Sequence, residues 1–218
     1  MNIQALRDRV SKAEQQEQLQ TGLRGWLQPR VAVLHPSIAA GDDVMDSLYR
    51  FVSGYIAQVP DMLEAAQSVA ERTGTREQML PVLKVAEAFF LQPPDLPQDH
   101  QGMLALLDEA YLAHRLVEEV NDRYIAHGGQ ALVPLDATRA NLIAHQLLGE
   151  PFANELDDMV AEAVETLAPE SLFASASFDQ FRALAASGPG SPWEEWPCLS
   201  RQLGVDIRLR GADDKGFD

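Results

Sequence analysis

The chain has 218 residues, of which 46% are hydrophobic and 23% charged. That is globular usage, and it excludes wholesale disorder, a collagen-like repeat or a coiled-coil rod. Lys plus Arg number 17 against 33 Asp plus Glu, a formal net charge of −16, so the chain repels the nucleic-acid backbone and anionic lipid, both of which recruit cations. The only cysteine, Cys198, leaves no intrachain disulfide and fits a reducing compartment.

The N-terminal MNIQALRDRVSK is amphipathic and mixed in charge, unlike a secretion signal. No apolar run reaches the roughly 20 residues that cross a bilayer, so no membrane association is expected, and the expected location is the cytoplasm. Ile3, Leu6, Val10 and Ala13 form one helical stripe; after the polar run Glu14 to Gln18 a second stripe, Leu19, Leu23, Trp26 and Leu27, is rotated by roughly half a turn. One straight helix cannot bury both against one surface, so residues 1–28 are expected to kink, break or contact a partner, including a second copy in a homo-oligomer.

Pro29 and His35-Pro36 disfavour helix, and Val31 to Leu34 is too short to choose between strand and linker. A helix is expected from Gly41, with Val44, Met45, Leu48, Phe51, Val52, Tyr55, Ile56 and Val59 as its apolar set, ending before Pro60. Asp61 with Glu64 then reads as a capping box for a short helix to Thr73, and Thr75 with Gln78 as another opening Met79 to Leu91. QPPDLPQD, Gln92 to Asp99, is a proline-rich connector.

Gly102 to His127 is the longest unbroken helical pattern, and the rest is expected to pack around it. Met103, Leu107, Ala110, His114, Val117, Asn121 and Tyr124 share one seam within about 100°. Beyond it, Asp136 suits the N-cap of a helix to Leu148 closed by Gly149, Pro151 opens one to Leu167, and Ser177 with Gln180 caps a short one. Ser191, Pro192 and Glu194 open final turns in which Trp193 and Trp196 clamp the C-terminal segment to the core. VDIRLR alternates briefly, and 211–218 reads as a frayed tail. The expected fold is all-α: a single domain over 1–210, a helical bundle or irregular α-array of about eight helices joined by short connections.

Asp42-Asp43-Val44-Met45-Asp46 reads D-D-x-x-D and resembles, over these five residues, the aspartate-rich motif of isoprenyl diphosphate and terpene synthases. The resemblance implies an all-α enzyme holding magnesium against a diphosphate. The residues themselves favour another role, because Asp42 and Asp46 lie about 110° and 150° from the centre of the helix's apolar face, facing out, at a helix start where acidic side chains suit the dipole. No second metal-binding motif follows Asn121-Asp122, where Ile125 and Gly129 stand.

Within the seam, His114 and Glu118 stand on neighbouring turns, Asn121 lies at its centre and Tyr124 follows. A histidine and a carboxylate at this spacing share a metal or act as an acid–base pair; the alternative is a core histidine bonded to Glu118 or a carbonyl, with Asn121 fixing register. No Glu-x-x-His pair completes a metal set, no cofactor is implied, and Cys198, the serines and the glycines form no nucleophile elbow or phosphate loop. His145 falls off the apolar face of its helix and is expected to be exposed.

Between Arg139 and Arg182 there is no Lys or Arg. On the helix from Phe152, Glu155, Asp158, Glu162 and Glu165 oppose the apolar Phe152, Leu156, Met159, Val160, Ala163 and Leu167, with no base inside the helix to pair them. Such a face either solvates the protein or docks a basic protein partner. Two functions remain: a non-enzymatic macromolecule-binding or regulatory module using this acidic face, or an all-α enzyme or small-ligand-binding protein with a pocket at His114, Glu118, Asn121 and Tyr124, divalent-metal dependent in one version.

Overall fold

The computed structural model describes residues 1–20, 22–94, 100–133, 135–187 and 198–208. Trp193, Trp196, the turns expected from Ser191 and the tail 211–218 lie outside the described residues. The fold is all-α. Among the described residues the order is α1 (Ile3–Gln20), α2 (Gly22–Ala32), β1 (Ile38–Ala39), α3 (Val44–Thr73), α4 (Arg76–Leu91), α5 (Met103–Gly128), α6 (Thr138–Leu148), α7 (Phe152–Leu167), a 3-10 turn (Glu170–Ala174), α8 (Ala176–Ser187), α9 (Leu199–Gln202) and β2 (Asp206–Ile207).

The helical pattern from Gly102 to His127 is α5, and it packs against α1, α2, α3, α4, α6 and α7. All seven seam residues are buried, and so are Leu106, Tyr111, Leu112, Leu116 and Val120 on its other sides. Gly102 (φ 58°) and Gly129 (φ 74°) bracket the helix in left-handed backbone that side chains strain to adopt.

The two N-terminal stripes are separate helices. Leu6, Val10 and Ala13 are buried on α1, Leu23 and Leu27 on α2, and the buried Glu17 carboxylate accepts the Leu23 amide at 2.9 Å between them. Leu19, assigned to the second stripe, is instead 86% exposed. Pro29 lies inside α2 rather than ending it. Next to it, Arg30 donates to the Trp26 carbonyl at 2.9 Å and stacks 3.5 Å over its indole, holding that turn in helix.

The largest departure is α3, which runs straight through Pro60 for 30 residues. Pro60 and its neighbours Val59, Met62 and Leu63 are buried, and burying one continuous apolar face outweighs the about 3 kcal/mol that an internal proline costs. Asp61 and Glu64 therefore cap nothing; both bind Arg7 of α1, at 2.9 and 2.6 Å. Thr75 with Gln78 also fails as a box, since the Thr75 hydroxyl meets Met79 and Gln78 reaches Ser177 on α8 at 3.0 Å. That contact takes the Ser177 side chain, and the cap of α8 is Ser175, whose hydroxyl accepts the Phe178 amide at 3.2 Å. Asp136 makes no side-chain cap for α6; Ala137 stands at that position, and the Asp136 carbonyl accepts from Leu199 at 2.9 Å.

Ile38 and Ala39 pair antiparallel with Ile207 and Asp206, which ties the end of the described chain to the loop before α3. Arg139 of α6 bonds Asp206 at 2.8 Å and reinforces that closure. In the D-D-x-x-D stretch Asp43 is the N-cap of α3, its carboxylate accepting the Asp46 amide at 2.9 Å, while Asp46 pairs with Arg24 of α2 at 2.7 Å. Two of the motif's carboxylates thus start a helix and fasten another to it.

Candidate functional site

The polar residues of the α5 seam divide among separate partners. His114 is fully buried, with Nε2 at 3.0 Å from the Tyr55 carbonyl of α3 and its ring 4.3 Å from the Tyr55 ring. A carbonyl only accepts, so Nε2 carries the proton and the Nδ1 lone pair is left without a hydrogen-bond partner. Burial drives the imidazole pKa down to about 4, against smaller opposing effects of the Tyr55 carbonyl and Glu118, and His114 is neutral.

Glu118 belongs to the same neighbourhood through a chain of bonds. The Tyr55 hydroxyl donates to Asn141 Oδ1 of α6 at 2.6 Å, Asn141 Nδ2 donates to Glu118 at 2.6 Å, and Arg115 donates to the same carboxylate oxygen at 2.6 Å. Arg115 also reaches Glu119 at 2.6 Å and Asp157 of α7 at 3.0 Å, where the Tyr111 hydroxyl joins at 2.9 Å. Its guanidinium is held firmly protonated by these carboxylates despite burial. Arg115 and its anions thus join α5 to α7, and Asn141 and Tyr55 extend the chain of bonds to α6 and α3.

Asn121 and Tyr124 stand outside that network. Asn121 donates to the Val133 carbonyl at 2.7 Å and accepts the Val133 amide at 2.8 Å, pinning the loop before α6. Asn121→Ala strands both backbone groups of the fully buried Val133 and is expected to lower stability by about 2–3 kcal/mol in urea unfolding, with α5 itself intact by circular dichroism. Tyr124 sits edge-on to Phe173, Phe178 and Phe181 with centroids 5.7, 5.6 and 5.1 Å away, and burial pushes its phenol up to about 12. Of the four candidates, His114 meets the Tyr55 carbonyl and Glu118 is reached from the Tyr55 hydroxyl by way of Asn141, while Asn121 and Tyr124 have other partners.

The seam pattern did not reveal Arg115, Asn141 or Asp157. A signal for Asp157 was present, since it lies about 20° from Val164 on the helical wheel and so on the inner side of an acidic helix. His145, expected to be exposed, is half-buried, with Nε2 at 3.2 Å from Asn154 and 3.5 Å from Asp157. Another pairing without a sequence signal joins His100 to the fully buried Asp108 at 2.6 Å, the imidazole lying edge-on to Trp26 and Phe152. Beside it, Glu109 is 2% exposed and bonded by Arg9 of α1, which also donates to the Leu91 carbonyl at 3.2 Å.

On α7, Ala153, Leu156, Val160 and Val164 are buried, and Glu155, Asp158, Glu162 and Glu165 are exposed. Glu165 differs from the other three, because Arg123 of α5 bonds it and holds its carboxyl below the usual range. Among the described residues Glu155, Asp158 and Glu162 have no cationic partner, while Arg7, Arg9, Arg24, Arg115 and Arg139 are engaged with carboxylates elsewhere. The helix is fixed to the core by Arg115 and Tyr111 through Asp157, so its outer charges are presented on a rigid element.

Among the described residues no group of three or more His, Cys, Asp or Glu side chains is placed to hold a metal ion, and no helix is long and apolar enough to cross a membrane. No family model, curated protein or solved structure matches the chain.

Proposed function

We propose that the protein is a helical binding module that engages a basic protein through the outer face of α7. The observation that carries this reading is the exposed row Glu155, Asp158 and Glu162, without a cationic partner among the described residues, on a helix whose inner side is locked to α5. A fixed row of like charges loses little conformational freedom when it meets cations, and its attraction decays over about 8–10 Å at physiological salt.

The test is binding of a nona-arginine peptide at several salt concentrations to the full chain and to two charge-reversed variants. Glu155→Lys/Asp158→Lys/Glu162→Lys is expected to weaken binding by about tenfold or more and to flatten its salt dependence. The control Glu14→Lys/Glu71→Lys/Glu77→Lys, also at exposed positions, changes net charge equally. Equal losses in both would mean that only overall charge matters, and the α7 surface would be rejected.

The competing reading, a small-ligand or catalytic pocket at His114 and Glu118, draws support from the bare Nδ1 of His114. It requires the imidazole nitrogen resonances of His114 to shift on adding magnesium or zinc ions or a metabolite extract. Unchanged resonances under all of these would remove it.

A further inference from the structure

Asp108 and Glu109 are consecutive buried acids of α5, reached from α1 by Arg9 and from the loop before α5 by His100. His100 bonds Asp108 at 2.6 Å. Glu109 is bonded on one oxygen by Arg9, and its other oxygen, Oε2, is buried without a hydrogen-bond partner. We propose that Glu109 makes the docking of α1 pH-sensitive: the helix is held on the bundle while this carboxyl is protonated and opens from it when the carboxyl ionises.

An apolar stripe and a few polar ties attach α1. Leu6, Val10 and Ala13 are buried, and the helix packs against α3, α4 and α5. Arg7 reaches Asp61 and Glu64, both more than half exposed, and the Asn2 amide reaches Glu87. The tie from Arg9 differs because its acid is 2% exposed. An ionised carboxylate has about four lone-pair sites to satisfy, and Arg9 meets one oxygen only, its other amine donating to the Leu91 carbonyl at 3.2 Å. A buried carboxylate met on one side is costlier than the neutral acid.

Among the described residues the charged groups acting on Glu109 are Arg9 from α1, which opposes protonation, and Asp108 beside it on α5, which favours it. The end of α4 presents the Leu91 carbonyl to Arg9, and His100 engages Asp108. Burial outweighs Arg9 and pushes the carboxyl up to about 7. When α1 lifts away, Arg9 leaves with it and water reaches the carboxylate, whose pKa then falls toward its ordinary value of 4.5. The docked pKa is the higher one, so docking is strongest below about 4.5 and has lost this contribution once pH rises through 7. The opening separates one helix and leaves His114 in the core, so the opposing effect of His114 on global stability takes no part in it.

The experiment is amide hydrogen exchange of the full chain at pH 5 and pH 7, each with a series of low urea concentrations, corrected for the intrinsic pH dependence of exchange. The α1 amides of Val10 and Ala13 are expected to lose about tenfold or more of their protection between pH 5 and pH 7, through an opening that low urea does not accelerate. Glu109→Gln, which keeps the shape of the neutral acid, should hold that protection constant, and the comparison removes the surface carboxylates common to both chains. Arg9→Gln leaves the acid without its cation and should enlarge the fall. Protection in the native chain that is constant or rises with pH would overturn the proposal, as would an equal fall in Glu109→Gln or a smaller one in Arg9→Gln. So would α1 amides that follow the urea dependence of Ile143 and Ala144 in α6, because α1 would then open only with the whole bundle.

Discussion

Replacing Arg115 by alanine is expected to destabilise the protein by about 2–3 kcal/mol, below the roughly 3–5 kcal/mol for a fully buried ion pair because this network is half-buried. Glu118 is 10% exposed, Asp157 28% and Glu119 38%, and Arg115 is the cation that all three share. Without it the three anions repel one another between α5 and α7, and the bonds through Asn141 to Tyr55 lose the charge that orders them. Urea unfolding of Arg115→Ala against Arg7→Ala checks this. Arg7 also binds two carboxylates, Asp61 and Glu64, but all three side chains are at least 42% exposed, and solvent screening makes that loss much the smaller of the two. If the two variants lose the same stability, burial is not what gives the Arg115 network its strength.

A second large effect is expected in the pH dependence of stability. The Glu109 carboxyl is pushed up to about 7, chiefly by burial, with Arg9 opposing and Asp108 adding to the rise. A raised folded pKa contributes stability fully below the unfolded value near 4.5, and that contribution is lost as pH rises through 7. His114 works in the opposite sense. Its imidazole is depressed to about 4 by burial, so its contribution is complete above about 6.5 and lost as pH falls through 4. Each spans about 3 kcal/mol by linkage, and between pH 6.5 and 4.5 the two largely cancel.

Glu109→Gln should break that balance. Relative to the native chain, the variant is expected to lose about 3 kcal/mol of unfolding free energy between pH 7.5 and 4.5, because the Glu109 gain is absent while the His114 loss remains. Subtracting the native curve removes the carboxylates common to both. Identical pH profiles would show that Glu109 ionises with an ordinary carboxyl pKa, and a variant that gained stability on acidification would reverse the assigned sign.

Local pattern was sufficient for the helices whose apolar faces are long and uninterrupted. The period from Gly102 to His127 located α5 within a residue at each end, whereas the rotation between the Ile3 and Leu23 stripes left a kink, a break or a partner contact open, and the chain forms α1 and α2 there. Capping motifs were weaker guides. Asp61 with Glu64 and Thr75 with Gln78 have the right spacing, yet their side chains find Arg7 and Ser177 from elsewhere in the chain. A cap is worth about 1 kcal/mol, and tertiary partners of similar strength compete for the same atoms.

The sequence by itself determined the helical class, the central place of α5 and the lysine- and arginine-free stretch between Arg139 and Arg182, because periodicity and composition are local properties. Tertiary structure alone decided that α3 continues through Pro60, that Asp157 turns inward to Arg115 while Glu155, Asp158 and Glu162 stay outside, and that His114 bonds a carbonyl of α3. Each of those outcomes depends on which side chain from a distant helix arrives within about 3 Å, where the energy of a hydrogen bond or buried charge is set.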